Sequence, residues 1–213
     1  MAGVNISVDV GPLVQYLTDL QSEQIPFAVS RAINDLALEV QTSIQEGMKQ
    51  RFIIRRDWVL RGVKISHFSS KKESPIHATV EISPDRYFLP RFEDGGTKTP
   101  RSGPNLAVPT DSVRGSRQNI IPGSMRPKAF GFQTSTTKRG ATQIKGNQRT
   151  FIIPDLGIFQ RTGPKTLRLL YRFFKSVPIP MSLHFHDSAT KVINARFVDI
   201  FRKRLAEALA TAK

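Results

Sequence analysis

The sequence contains no cysteine. That absence excludes a disulfide framework, a thiolate metal site and a cysteine nucleophile, and it suits a reducing cytoplasm. The sequence also lacks any run approaching the ~18 apolar residues that a membrane-spanning helix needs. Because the N-terminus has no basic region followed by an apolar core, we expect no secretory signal.

Acidic residues are scarce. The chain has 17 Asp and Glu against 32 Lys and Arg, which gives a formal net charge of +15 and a pI near 10.7. A positive field of this size implies acidic partners, and composition alone leaves three open: nucleic acid, an anionic membrane surface, or acidic faces of proteins in an assembly. The apolar fraction of 39% predicts a chain that folds, though not over its whole length.

Apolar residues recur at helical spacing near both ends of the chain. The first pattern predicts a helix of about 20 residues over residues 26–50, and the last predicts a long C-terminal helix over residues 187–212. A short helix at residues 57–61 is also predicted, with Asp57 as its cap and Trp58 as its anchor.

Between these helices apolar residues recur at every second position, the spacing of a β-strand. Residues 63–68 and 76–82 predict an antiparallel hairpin with one wet face, and residues 150–161 predict two strands around a Pro-Asp turn. Residues 166–180 predict a further strand, one face of which carries Leu167, Leu169, Tyr171 and Phe173. The fold class is therefore α+β, a small mostly antiparallel sheet packed by an N-terminal and a long C-terminal helix.

Residues 95–149 have a different character. They hold eight glycines, five prolines and ten Lys or Arg against one acid, and no helical or strand period persists. Apolar residues are too few to offset an ordering entropy of roughly 1–2 kcal/mol per residue, so we expect mobility until a partner binds. The sequence thus predicts a single α+β domain over residues 1–213 in which 95–149 is a long basic excursion, an assembly arm.

Two clusters resemble catalytic or metal-binding chemistry. His184 and His186 would share one face of an extended segment and could chelate a metal with Asp187, but Asp187 is more simply explained as a helix cap. Glu93 and Asp94 are paired carboxylates next to glycines, for which salt bridges to arginines are the simpler role.

Other patterns have a structural reading beside the functional one. The Gly95–Gly96 pair lacks the lysine and hydroxyl of a phosphate-binding loop and favours a turn with positive φ. Cations around Phe130 and Phe132 are compatible with a single-stranded nucleic-acid surface. Residues 53–65 resemble a basic DNA-contacting helix, although a solvent-exposed helix face accounts for the same basic residues. We therefore expect no catalytic residues, no metal and no cofactor.

The chain resembles the minor tail protein Z family of tailed bacteriophages. The similarity lies in "IPFAVSRAINDLALEVQTSIQEGMKQRFIIRRDWVLRGVKI", where an Ala-x-Asn pattern (Ala32, Asn34) leads through basic residues into the first strand. It continues in "VPIPMSLHFHDSATKVINARFVDIFRKRLAEAL", a proline-containing strand that feeds a long helix. The segment "FEDGGTKTPRSG" with "LAVPT" is similar to a glycine-proline segment of phage neck and tail-completion proteins.

The resemblance implies a structural virion protein that is not an enzyme. It would form a ring, a hexamer, at the head-proximal end of the tail, would complete the tail or join it to the head, and would be assembled in the host cytoplasm. The implied partners are its own copies, tail-tube or terminator proteins and neck or connector proteins, with non-specific contact to packaged DNA and no membrane. The alternatives are a tail terminator of the same region and a non-specific nucleic-acid-binding protein.

The cations of the excursion are the candidate partner-binding residues. They are Arg101, Arg114, Arg117, Arg126, Lys128, Lys138, Arg139, Lys145 and Arg149. A second group is predicted to face DNA or a ring neighbour and consists of Arg51, Arg55 and Arg56.

Overall fold

A computed structural model describes residues 3–7, 24–101, 103–114, 120–136 and 142–211. These residues fall into two compact units, whereas the sequence predicts a single domain with an excursion. The first unit comprises residues 1–95 and 180–213, and the second comprises residues 96–179. No helix within the described ranges is both long enough and apolar enough to cross a membrane.

The first unit contains two long helices, as the sequence predicts. Helix α1 (Gln24–Arg51) extends past both predicted limits of 26–50, and helix α4 (Phe185–Thr211) begins two residues before the predicted range of 187–212 and ends one residue inside it. Helix α2 (Asp57–Leu60) confirms the short helix, but Asp57 is its first residue and not its cap, because Arg56 holds the cap position in an extended conformation. Helix α3 (Arg91–Asp94) was not predicted.

The predicted hairpin forms strands β2 (Val63–His67) and β3 (His77–Ile82). Strand β1 (Gly3–Ser7), which the sequence does not predict, pairs antiparallel with β3, so that β3 is the central strand. The predicted apolar face is buried and consists of Ile76, Ala78, Val80 and Ile82.

Helices α1 and α4 and the three-stranded sheet enclose the first core. Helix α1 buries a stripe that includes Ile33, Leu36 and Val40, while Phe197 and Phe201 of α4 pack against it half-buried. Arg204 of α4 donates to Asp35 of α1 at 2.5 Å, which adds a charge-assisted bond between the helices. The fold is α+β, as the sequence predicts, with the C-terminal helix packed on the N-terminal one.

Asn34, part of the Ala-x-Asn pattern, has a structural role. Its Oδ1 accepts the backbone N–H of Ser69 at 2.7 Å and its Nδ2 donates to the Ser69 carbonyl at 3.1 Å. Ser30 adds a third link, since its hydroxyl also donates to the Ser69 carbonyl, at 3.0 Å. Helix α1 therefore holds the start of the β2–β3 turn in place.

The second unit is built mainly from one six-stranded antiparallel sheet in the order β5-β10-β9-β8-β7-β6. Its strands are β5 (Leu106–Pro109), β6 (Gln133–Thr136), β7 (Thr142–Lys145), β8 (Thr150–Ile153), β9 (Gly157–Arg161) and β10 (Leu167–Phe174). Strands β4 (Gly96–Lys98) and β11 (Val177–Ile179) form a separate antiparallel pair. Strands β8, β9 and β10 confirm the predicted strands.

The described part of residues 95–149 is more regular than the sequence predicts. It contains β4 to β7 and three 3-10 helices, and Val113 and Phe130 enter a second core with Ile158, Leu170 and Tyr171. The apolar residues within 95–149 are too few to form a core by themselves, which is why the sequence predicts a segment that orders only on binding. The residues that complete this core lie beyond position 149, so the segment buries more apolar surface than its own composition provides.

Strand β10 also departs from its predicted alternation. A bulge between Leu169 and Tyr171 shifts the register against β9, so Leu170 and Tyr171 are both buried. A bulge places two residues opposite one on the partner strand, and for that reason a strict period of two fails here.

Candidate functional site

One face of the six-stranded sheet carries cations and aromatic rings together. Lys145 of β7 lies opposite Phe151 of β8, and Phe151 lies opposite Phe159 of β9. Side chains of directly opposed residues share a face, and Arg161, two residues after Phe159, shares it as well. The rings of Phe151 and Phe159 stack with centroids 6.0 Å apart, half-buried between an exposed lysine and an exposed arginine.

The opposite face of these strands supplies the second core. Ile152 of β8 pairs with Ile158 of β9, and both contact the buried cluster around Phe130. The sheet therefore has one apolar face that stabilises the unit and one mixed face on which Lys145 and Arg161 are exposed.

A tight turn presents Arg149 beside the mixed face. The Asn147 carbonyl accepts the Thr150 N–H at 3.1 Å, and Gln148 and Arg149 both have positive φ, 56° and 57°. This is the pattern of a type I′ hairpin turn, for which glycine or asparagine is preferred. Two residues with long side chains therefore have a left-handed backbone conformation, which costs L-residues roughly 1–2 kcal/mol each. Such strain makes the turn a candidate for function.

Lys145, Arg149 and Arg161 line a groove of about 610 Å³ together with Phe151. No acidic side chain is among the residues that line this groove, as far as the described chain extends. Three cations over an apolar floor can bind phosphate groups or carboxylates while a ring contacts an apolar or aromatic part of the same ligand. We call this surface the basic groove.

Two of the predicted cations lie elsewhere, near Tyr171. The Tyr171 hydroxyl donates to the Met125 carbonyl at 2.8 Å. Burial raises the pKa of Tyr171, and the positive charges of Arg114 and Arg126 oppose that rise. Arg114 is also 3.7 Å from the Asp111 carboxylate. These cations therefore border the second core.

The other predicted cations of the excursion are dispersed. Arg101 precedes β5 and Lys128 lies in the 3-10 helix Pro127–Phe130, and both are exposed. Arg117, Lys138 and Arg139 lie outside the described residues. The structure thus brings together Lys145 and Arg149 of the predicted set and adds Arg161, which is not among the predicted cations.

The predicted DNA-facing group divides by environment. Arg51 donates from Nε to the Ser182 carbonyl at 2.9 Å and from Nη2 to the Leu183 carbonyl at 2.7 Å, which gives it a structural role before α4. Arg56 is exposed, and Arg55 is half-buried, with an Nε that has no hydrogen-bond partner in the part of the chain described. Contact of these arginines with DNA stays a prediction.

The carboxylates and histidines near α4 are mostly structural. Glu93 accepts the backbone N–H of Phe185 at 2.7 Å through Oε2 and that of His186 at 3.1 Å through Oε1, so it caps α4 and forms no salt bridge to arginine in these contacts. Asp187, the expected cap, lies inside the first turn of the helix.

The Asp187 carboxylate is 3.5 Å from His184 Nδ1, and the side chains of Asp187 and His184 are both exposed. The glycine pair confirms its predicted turn, with φ of 70° at Gly95 and 126° at Gly96.

The basic groove is therefore the surface with the clearest binding chemistry in the described chain. Sheet register assembles it from three strands and one strained turn, and its cations could bind an anionic ligand. Comparison of the chain with models of protein families, with curated proteins and with solved structures finds no match.

Proposed function

We propose that this chain is a non-catalytic structural protein of a phage virion, located at the head-proximal end of the tail. In this proposal it forms a ring, a hexamer, that completes the tail or joins it to the head, and it contacts neighbouring ring proteins and packaged DNA without reading sequence.

The observation that carries the proposal is the uneven charge of the two units. Residues 96–179 hold 15 of the 32 Lys and Arg but two of the 17 Asp and Glu, so the second unit has a formal charge of +13 and the first of +2. Mutual repulsion destabilises a unit with so much charge of one sign. An acidic protein face or DNA phosphates would offset that repulsion in an assembly.

The sheet of the second unit also offers a polar edge for pairing. In the described residues β6 has one strand neighbour, β7, and all four of its residues are exposed. An edge strand presents unpaired N–H and C=O groups to which a strand of another chain can be added. Strand addition is one route by which such subunits form a ring.

The first test is the assembly state of the purified full-length chain. Size exclusion with light scattering, on the chain alone and with purified tails, should give six copies of the 23.9 kDa chain or capture by tails. A chain that stays monomeric and does not bind to purified tails would contradict the proposal.

A second test reverses the charge of the basic groove. The triple variant Lys145→Glu, Arg149→Glu and Arg161→Glu should fold like the native chain, because these side chains are exposed. It should lose tail capture by at least about tenfold, since three favourable contacts become repulsive.

A control variant carries the same charge change on the first unit. It combines Lys49→Glu, Arg202→Glu and Lys203→Glu, all at exposed positions. This control should retain tail capture. Equal loss in both variants would mean that net charge decides binding and the groove does not.

Non-specific nucleic-acid binding is the second candidate function. It is favoured by the stacked pair Phe151 and Phe159 between cations, because aromatic rings and cations together form the usual surface for single strands. A lone monomer that binds DNA with a steep salt dependence would support it over the structural role. A tail terminator of the same region would show ring formation as well, and only its position in the particle would separate the two.

A further inference from the structure

The β2–β3 hairpin brings two imidazoles and a carboxylate to one place. His67 is the last residue of β2, His77 is the first residue of β3, and Glu73 lies in the turn between them. His67 Nε2 is 3.0 Å from Glu73 Oε2, and His77 Nδ1 is 3.9 Å from the same oxygen. The two rings stack with centroids 4.7 Å apart.

One ligand atom from each residue lies within 4.8 Å of the other two. Donors around a tetrahedral zinc ion, at bond lengths of ~2.0–2.1 Å, are roughly 3.4 Å apart. His67 Nε2 and Glu73 Oε2, 3.0 Å apart, are already close to this value, and rotation of the His77 ring would bring a third donor onto the same ion. All three side chains are partly exposed, 42% for His67, 29% for Glu73 and 36% for His77, which leaves room for that adjustment and for entry of an ion.

The turn that carries Glu73 is held in place before any ion binds. Ser69 is buried and joined to Asn34 and Ser30 of α1 through backbone and side chain, and the Glu73 N–H donates to the Ser70 carbonyl at 3.2 Å. A ligand on a turn fixed to a helix loses less conformational entropy on binding than one on a free loop. The strands fix the two histidines in the same way.

A simple ion pair explains only part of this geometry. His67 and Glu73 are within hydrogen-bond distance, but the 3.9 Å from His77 Nδ1 to the same carboxylate is too long for a hydrogen bond. His77 Nδ1 lies instead 3.0 Å from the Pro75 carbonyl. A hydrogen bond from His77 Nδ1–H to this carbonyl fixes the ring and leaves the lone pair on Nε2, so Nε2 is the nitrogen of His77 that would bind the ion.

We propose that His67, Glu73 and His77 bind one divalent transition-metal ion, zinc by the chemistry of the donors, with water at the fourth position. The ion would join both ends of the hairpin to its turn. Lys71 and Lys72 are exposed in the same turn and oppose cation binding, but solvent screens their charge. This site is independent of the basic groove and of the proposed role in a virion.

The test is titration of the metal-free full-length chain with zinc by calorimetry and with cobalt(II) by visible absorption. The expected result is one ion per chain, a tetrahedral cobalt spectrum and a higher melting temperature with zinc. Glu73→Gln keeps an acceptor for His67 and should fold, yet it should weaken binding about tenfold or more because an amide is a poor zinc ligand. His77→Asn should weaken binding to a similar extent.

The chain provides a matched control, because its other two histidines lie at α4. The double variant His184→Asn and His186→Asn should bind zinc like the native chain. The proposal is overturned if the native chain binds no ion, if Glu73→Gln and His77→Asn bind as tightly as the native chain, or if the α4 double variant is the one that loses binding.

Discussion

Removal of the Glu93 carboxylate should lower the free energy of unfolding of the first unit, because this carboxylate accepts two backbone N–H groups at the start of α4. In Glu93→Ala the buried Phe185 would lose the acceptor for its N–H, at a cost of about 1–3 kcal/mol, whereas water can solvate the N–H of the exposed His186. Loss of a negative charge at the N-terminus of α4 adds about 0.3–1 kcal/mol. We expect a total near 2 kcal/mol.

The assay is urea unfolding followed by fluorescence of Trp58. This residue is the one tryptophan of the chain and lies in the first unit, so its emission reports on that unit. Glu93→Gln keeps an acceptor oxygen but no charge and should cost about 1 kcal/mol. The neighbouring exposed Asp94→Ala is the control, with an expected change below about 0.5 kcal/mol. The capping role is refuted if Glu93→Ala and Asp94→Ala unfold at the same urea concentration.

Three further predictions concern the second unit. Burial raises the pKa of Tyr171, and a raised folded-state pKa contributes stability that is complete below the unfolded value of about 10 and is lost as pH rises through the folded value. Urea unfolding at about pH 8 and pH 11, followed by circular dichroism, should therefore show less alkaline loss in Tyr171→Phe than in the native chain. Phe130→Ala should cost roughly 3–5 kcal/mol, because the ring is fully buried; unchanged hydrogen exchange in β8 and β9 would contradict this. The double variant Gln148→Asn with Arg149→Gly should raise the free energy of unfolding by about 0.5–1 kcal/mol while it weakens anion binding, and a loss of stability would argue against a strained turn.

The sequence predicts the first unit better than the second, for a physical reason. Helices α1 and α4 repeat apolar residues over more than six turns, and β3 alternates cleanly, so each pattern specifies its own structure. Strand β6 reads Gln-Thr-Ser-Thr and is exposed throughout, so it has no apolar period from which it could be recognised. Its position depends on pairing with β7, which is not a local property.

The candidate sites show the same limit. Charge alone identifies Lys145 and Arg149 as candidates in the sequence, but Arg161 joins them only through the register of β7, β8 and β9. His67 and His77 are ten positions apart, and their meeting with Glu73 depends on how the turn is held to α1. Glu93 caps a helix that begins more than 90 residues later in the chain, so this contact depends on the tertiary fold and not on local sequence. Charge and residue type were therefore readable from the sequence, and spatial convergence was not.

The strained backbone of the turn at Gln148 and Arg149 is a further reason to regard the basic groove as a binding surface. A chain free to optimise this hairpin would place asparagine and glycine at the two left-handed positions. The observed turn places the guanidinium of Arg149 in the lining of the groove at a cost in local strain. Such strain is typical of positions whose side chains serve binding.

Cryo-electron microscopy of assembled phage particles tests the central proposal most directly. The expected image is a sixfold ring of this chain at the head-proximal end of the tail, with Lys145, Arg149 and Arg161 in contact with an acidic protein surface or DNA. Particles that lack the chain, or that carry it with the basic groove facing solvent, would contradict the proposal.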